Sequence, residues 1–285
     1  MQALIAEARK KYHAGLLADG VLTIDSKGIP SNADKDSRLS VRIAEGIARR
    51  LMAETQAKAL GQTAGAKFEQ LNMEFLEATF PHLQNLRPGK WHIAKLGNRN
   101  KIKTSSFAQY EHLDYLSQLT RGDARLAASM GTDYMVAPDV VVYRETESDE
   151  VINEKRIIVD ESVSGLSDIR KTCGGLPILH ASISAKWTMR SDRAQNSRTE
   201  ALGLIRNRKG HLPHIVVVTG EPMPARIASL ALGTGDIDCV YHFALNELVE
   251  AVNEVGAEDS IEMLKILITG KRLKDISDLP LDLAV

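Results

Sequence analysis

Apolar positions recur at helical spacing through the first part of the chain and gather into short, dense runs further on. Residues 3–17 read as a helix, and a turn-rich stretch through Gly20, Gly28 and Pro30 follows. Val41, Ile43, Ile47, Leu51 and Met52 mark a second helical run over residues 37–60, and a third covers about 64–80. On that third helix Lys67, Gln70, Glu74 and Glu77 share a polar face, while Glu69 falls on the apolar side between Leu76 and Phe80. A carboxylate so placed faces the protein. It is either paired with a core Arg or Lys or helps to line a charged site.

The pattern changes after residue 86. Residues 87–103 carry Trp91 and His92 among bases, with Pro88-Gly89 and Gly97-Asn98 as turns, and suggest a short hairpin; residues 110–130 read as helix. Runs rich in β-branched and aromatic residues then occupy 133–143, 156–160, 178–187, 214–219 and 238–243. Helical segments at 197–207, 224–232 and 245–255 separate the later ones, and an apolar run at 264–268 precedes the tail. The implied class is α/β, a central mixed β-sheet flanked by helices, with a helical N-terminal region. We expect a single domain, its helical part at about 1–86 and its mixed-sheet core at about 87–285.

Composition narrows the class. A chain of 285 residues, 44% hydrophobic, buries a full core. Its two cysteines, Cys173 and Cys239, are too few for a disulfide scaffold and lack zinc-site spacing. No apolar run reaches eighteen residues, and the first residues mix acids with bases, so a soluble, cytoplasmic protein is expected. A net charge of -1 speaks against generic electrostatic binding of nucleic acid. Charge is segregated, however: residues 87–103 hold six Lys or Arg and no acid, and residues 186–226 hold eight against three acids. A near-neutral total therefore conceals basic surfaces.

The candidate chemistry centres on residues 182–193, SISAKWTMRSDR. Ser184 and Lys186 point to one side of a strand, and Ile183 and Ala185 to the other. A lysine there could orient or deprotonate water and stabilise charge on a phosphate, unless it is an ordinary edge-strand lysine. Pro138-Asp139 sits inside a strand pattern, awkwardly for both residue types, which fits either a satisfied bulge or a catalytic acid. Ser197-Arg198-Thr199-Glu200 fits a capping box, although Glu200 also lies beside the buried face of its helix. Arg190, Asp192 and Arg193 form either a salt-bridged turn or a reader of neighbouring G·C pairs, since Arg bonds guanine O6 and N7 and Asp accepts from cytosine N4. Asp34, taken alone, reads as a turn or cap.

Pro138-Asp139, then Lys186, then Glu200 form an ordered pattern that resembles the PD-(D/E)XK nuclease superfamily, in the variant where Ser184 replaces the usual acid and a later helix supplies it. The blocks SISAKWTMRSDRAQNSRTE, RNRKGHLPHIVVVT and KRLKDISDLPLDLAV resemble the NgoMIV-type type II restriction endonucleases, and the similarity runs along nearly the whole chain. The resemblance implies a homotetrameric, Mg²⁺-dependent endonuclease that binds two copies of GCCGGC in double-stranded DNA and cuts after the first G. It further implies that Asp139, the backbone carbonyl of Ala185, Glu69 and Glu200 hold metal, about two ions per site. Lys186 would handle the attacking water and Ser184 would support the site. Arg190, Asp192 and Arg193 would read the inner CCGG, Asp34 and Arg226 the outer G·C pair, and Gln62 the minor groove. One departure is visible, Ala185 standing where the family has cysteine. Rival readings are a structure-selective or repair nuclease, against which the 190–193 cluster argues, and a non-catalytic DNA-binding protein, which would have lost the Asp or Lys. A small-molecule enzyme would usually carry a phosphate loop, and neither GxGxxG nor GxxxxGK[ST] occurs.

Overall fold

The dense apolar runs form the middle of a sheet because their side chains are covered on both faces. In the computed structural model, which describes residues 2–53, 61–96, 103–121, 138–189, 191–233 and 235–285, six strands pair in chain order. They are β1 (Trp91–Lys95), β2 (Val140–Arg144), β3 (Ile178–Lys186), β4 (His214–Thr219), β5 (Cys239–His242) and β6 (Leu273–Asp275). The pairs β1/β2 and β2/β3 are antiparallel, and β3 through β6 are parallel, so the sheet is mixed. Val216, Val217 and Val218 of β4 are buried, as a strand between two parallel neighbours requires.

The helices are α1 (Leu4–Ala18), α2 (Arg38–Arg50), α3 (Gly61–Glu77), α4 (His112–Arg121), α5 (Asp149–Ile152), α6 (Ser191–Asn207), α7 (Pro224–Ala231), α8 (Leu245–Val255), α9 (Glu258–Thr269) and α10 (Leu279–Asp282). Ser37 caps α2 by accepting from the Ser40 N–H, and the face formed by Ile43, Ala44, Ile47 and Ala48 is buried, with α8 as the main neighbour. α3 lies across β1, β2 and β3 and carries α1 on its side. Phe68, Leu76, Ile183, Val217, Trp187 and Phe243 join one apolar core that spans the helical N-terminal part and the sheet.

Several elements depart from the sequence expectation. Residues 156–160 form no strand: Ile157 and Ile158 are 79% and 63% exposed, and the Ile158 and Val159 N–H groups donate to the Asn153 side chain. β-Propensity without a neighbouring edge to pair with does not make a strand. The basic segment does not close a hairpin on itself within the described residues, because β1 pairs with β2, some fifty residues away. Pro138 and Asp139 stand immediately before β2 instead of inside it. α6 begins at Ser191, so Ser197 is an interior, buried helix residue and not a cap. The expected helices over 37–60 and 110–130 and the strand over 133–143 each run partly outside the described residues. The structure adds β6 and shows that residues 264–268 belong to α9.

Candidate active site

Asp139 is held where the antiparallel and parallel halves of the sheet meet. Val140 pairs with Ile183, so the residue before β2 faces the C-terminal end of β3. There Asp139 Oδ2 accepts from the Ala185 backbone N–H and from Lys186 Nζ, both at 2.8 Å. Its carbonyl accepts from the Leu96 N–H at 3.3 Å, tying it to β1 as well. Lys186 is pinned from the other side, because its carbonyl accepts from Thr219 Oγ1 at 2.8 Å.

Two further acids flank this pair. Glu200 on α6 accepts from Ser184 Oγ at 3.4 Å, and Ser184 Oγ also lies 3.2 Å from Ser197 Oγ. Burial raises the Glu200 carboxyl above its ordinary value; Lys186 opposes the rise and Asp139 adds to it. Glu69 on α3 pairs with Lys95 Nζ at 3.2 Å, and that ammonium also donates to the Ala66 carbonyl. Burial raises Glu69 too, Asp139 adds to the rise, and Lys95 and Lys186 oppose it. Asp139 thus acts electrostatically on both glutamates, and Ser184 ties Glu200 to the strand that carries Lys186. Carboxylate oxygens of this kind suit a hard divalent cation, which would offset their mutual repulsion. Among the described residues, no three His, Cys, Asp or Glu stand close enough to hold an ion by themselves. The donor set expected for the site includes a backbone carbonyl, and its acids are engaged by Lys186, Lys95 and Ser184.

A second group lies beyond the end of β4. Arg226 of α7 forms an ion pair with Asp34, which is nearly two hundred residues away in sequence. Arg226 Nη1 also stands 3.8 Å from Glu221 Oε1, and the Glu221 carboxylate is 1% exposed. Arg190, and the side chains of Gln62, Asp192 and Arg193, lie outside the described residues, and only the backbone of α6 leads away from that cluster. Sequence reasoning missed Lys95, Ser197 and Glu221. Glu69 on an apolar helix face did signal a need for a cation; nothing marked Glu221.

The family model described as NgoMIV restriction enzyme matches residues 12–285. This chain belongs to the NgoMIV restriction enzyme family. Its similarity to the type II restriction enzyme NgoMIV of Neisseria gonorrhoeae is 48% identity over 286 residues, covering all of both chains. A solved structure, a restriction endonuclease PspGI–substrate DNA complex, matches 98% of this chain and 90% of its own at 14% identity, with a TM-score of 0.26. As a member of the NgoMIV family the protein is a type II restriction endonuclease, a site-specific deoxyribonuclease, and no helix among its described residues is long and apolar enough to cross a membrane.

Proposed function

We propose that the protein cleaves double-stranded DNA at GCCGGC after the first G, using Mg²⁺ and leaving 5′-phosphates, 3′-hydroxyls and 5′ overhangs. The observation that carries this reading is the shared engagement of Asp139 Oδ2 by the Ala185 N–H and Lys186 Nζ, with Glu69 and Glu200 both subject to the charges of that pair. Asp139, the Ala185 carbonyl, Glu69 and Glu200 are the groups that would hold the metal. Bound Mg²⁺ lowers the pKa of a water and offsets charge at phosphorus. Lys186 sits within reach of the same locus and orients the attacking water, or takes its proton, once Asp139 is engaged elsewhere. Ser184 holds Glu200 toward the strand. Ala185 contributes backbone alone, so the family's cysteine is dispensable for that role.

Specificity follows from paired chemistry. A guanidinium beside a carboxylate matches the edge of a G·C pair, the first bonding guanine and the second accepting from cytosine N4. Arg226 and Asp34 stand together in that way and would read the outer pair, with Arg190, Asp192 and Arg193 on the inner CCGG and Gln62 in the minor groove. We assign a homotetramer binding two sites. Val151, Ile157, Ile158, Val163 and Leu166 support an assembly because they expose large apolar side chains along one stretch, Leu166 at 96%. Digestion of a mapped plasmid with Mg²⁺ tests the whole reading. Discrete fragments ending at GCCGGC are expected, and a smear, or fragments mapping to another palindrome, would overturn the specificity.

A further inference from the structure

Glu221 has no part in the reading above, yet it joins the segments that carry both groups of base contacts. Its Oε2 accepts from the Met189 N–H at 2.8 Å, and its Oε1 accepts from the Met223 N–H at 3.2 Å and lies 3.8 Å from Arg226 Nη1. Met189 directly precedes Arg190, and Met223 is the N-cap residue immediately before α7, the helix carrying Arg226. One carboxylate therefore spans the exit from β3 and the entry to α7.

The surroundings leave it no alternative position. Gly220 packs so closely on Trp187 that a Cβ there would come within 2.5 Å of the indole, and its carbonyl accepts from Asn32 Nδ2 at 2.8 Å. Asn32 lies two residues from Asp34, so the chain that presents the second outer reader is fastened to the same turn. A carboxylate 1% exposed is costly to ionise, and burial pushes Glu221 up to about 7 against the opposing backbone N–H groups and Arg226. A smaller neutral side chain would pack there with less desolvation, but it would leave two backbone N–H groups and one face of Arg226 unmatched.

We propose that Glu221 is a positioning residue for sequence discrimination, fixing the backbone that leads into Arg190–Arg193 and the guanidinium of Arg226 at the same time. This rests on the base-reading role given above to Asp34 and Arg226. An amide at this position cannot accept at both atoms, because its nitrogen is a donor, so Glu221→Gln must release one of the two backbone N–H groups and the charge facing Arg226.

The test measures kcat/KM with Mg²⁺ on three oligoduplexes: GCCGGC, the same site with its outer pair exchanged, and the same site with an inner pair exchanged. Glu221→Gln is expected to lower both the cognate-to-outer and the cognate-to-inner ratios by about ten-fold, the scale of one lost bidentate contact. Arg226→Ala should lower the outer ratio alone. A merely structural Glu221 would slow all three substrates in common and leave both ratios unchanged, which would overturn the inference. If Glu221→Gln does not fold, Glu221→Asp keeps the charge while withdrawing it from Arg226, and the same fall in the outer ratio is required of it. Should Arg226→Ala leave the outer ratio intact, the base-reading assignment itself fails, and the role of Glu221 falls with it.

Discussion

Replacing Glu221 by Gln should also change how stability depends on pH. The carboxyl is buried, and its pKa stands at about 7 in the folded protein against 4.5 for an unperturbed glutamate. Below pH 4.5 it is protonated in both states and contributes no slope. Between 4.5 and 7 the unfolded chain releases its proton and the folded one keeps it, so stability falls as pH rises, by about 1.4 kcal/mol per pH unit. Above 7 the loss levels off at roughly 3 kcal/mol. Glu221→Gln removes this slope but retains every other titrating group. Its constant cost, the released N–H group, is the same at all pH values and does not enter the difference. Urea unfolding of both proteins at one protein concentration, from pH 4.5 to 8, should therefore show the variant gaining roughly 3 kcal/mol relative to the parent across that range. Parallel curves would show that the Glu221 carboxyl titrates normally, and the burial argument would be wrong.

Other outcomes follow from the same geometry. Lys186→Ala should keep specific binding within a few-fold in Ca²⁺ while cleavage in Mg²⁺ drops by about a hundred-fold or more, the scale of a lost general base; loss of both would mark the lysine as structural. Lys95→Met removes the ammonium paired with Glu69 at 3.2 Å, so the already raised Glu69 carboxyl should titrate higher still in a metal-free ¹³C NMR titration. An unchanged midpoint would mean that the pair is not populated in solution. A plasmid with two sites should be cut faster than one with a single site, and Leu166→Lys should abolish that advantage and lower the mass found by light scattering. Equal rates on both plasmids would point to an independent dimer.

The parts legible in the sequence were those whose cause is local. β4 reads as a strand because HIVVVT is both β-branched and continuous, and the neighbouring parallel strands do bury it. Ser184 and Lys186 were placed on one side of β3 by simple alternation. Glu69 was half legible: its place on the helix demanded a partner, but only the pairing of β1 with β2 brings Lys95 to it. Glu200 was left open between a capping box and an acid facing the sheet; the capping box fails because the helix has already started at Ser191, and the carboxyl meets Ser184 of β3. Residues 156–160 failed in the opposite sense, since propensity was present and an edge to pair with was not. Glu221, in the turn-like sequence Gly220-Glu221-Pro222, gave no signal at all. Its burial is produced by closure of the segment around Asn32 and the exit from β3 over that turn, a contact between residues far apart in the chain.

Lysines offset two of the carboxylates around the end of β3. Three acids left facing each other in a partly buried locus would be protonated or would force the elements apart. Here Lys186 engages Asp139, Lys95 engages Glu69, and Ser184 donates to Glu200, so each acid has its own partner. The same contacts hold the lysine proposed to be catalytic against the acid proposed to bind metal. In that arrangement the Lys186 ammonium uses one of its three N–H donors on Asp139, and that carboxylate shares its charge with the lysine. On the proposed reading, a metal held by Asp139 would compete with Lys186 for that carboxylate, and the ammonium would turn toward the attacking water as the pair opens.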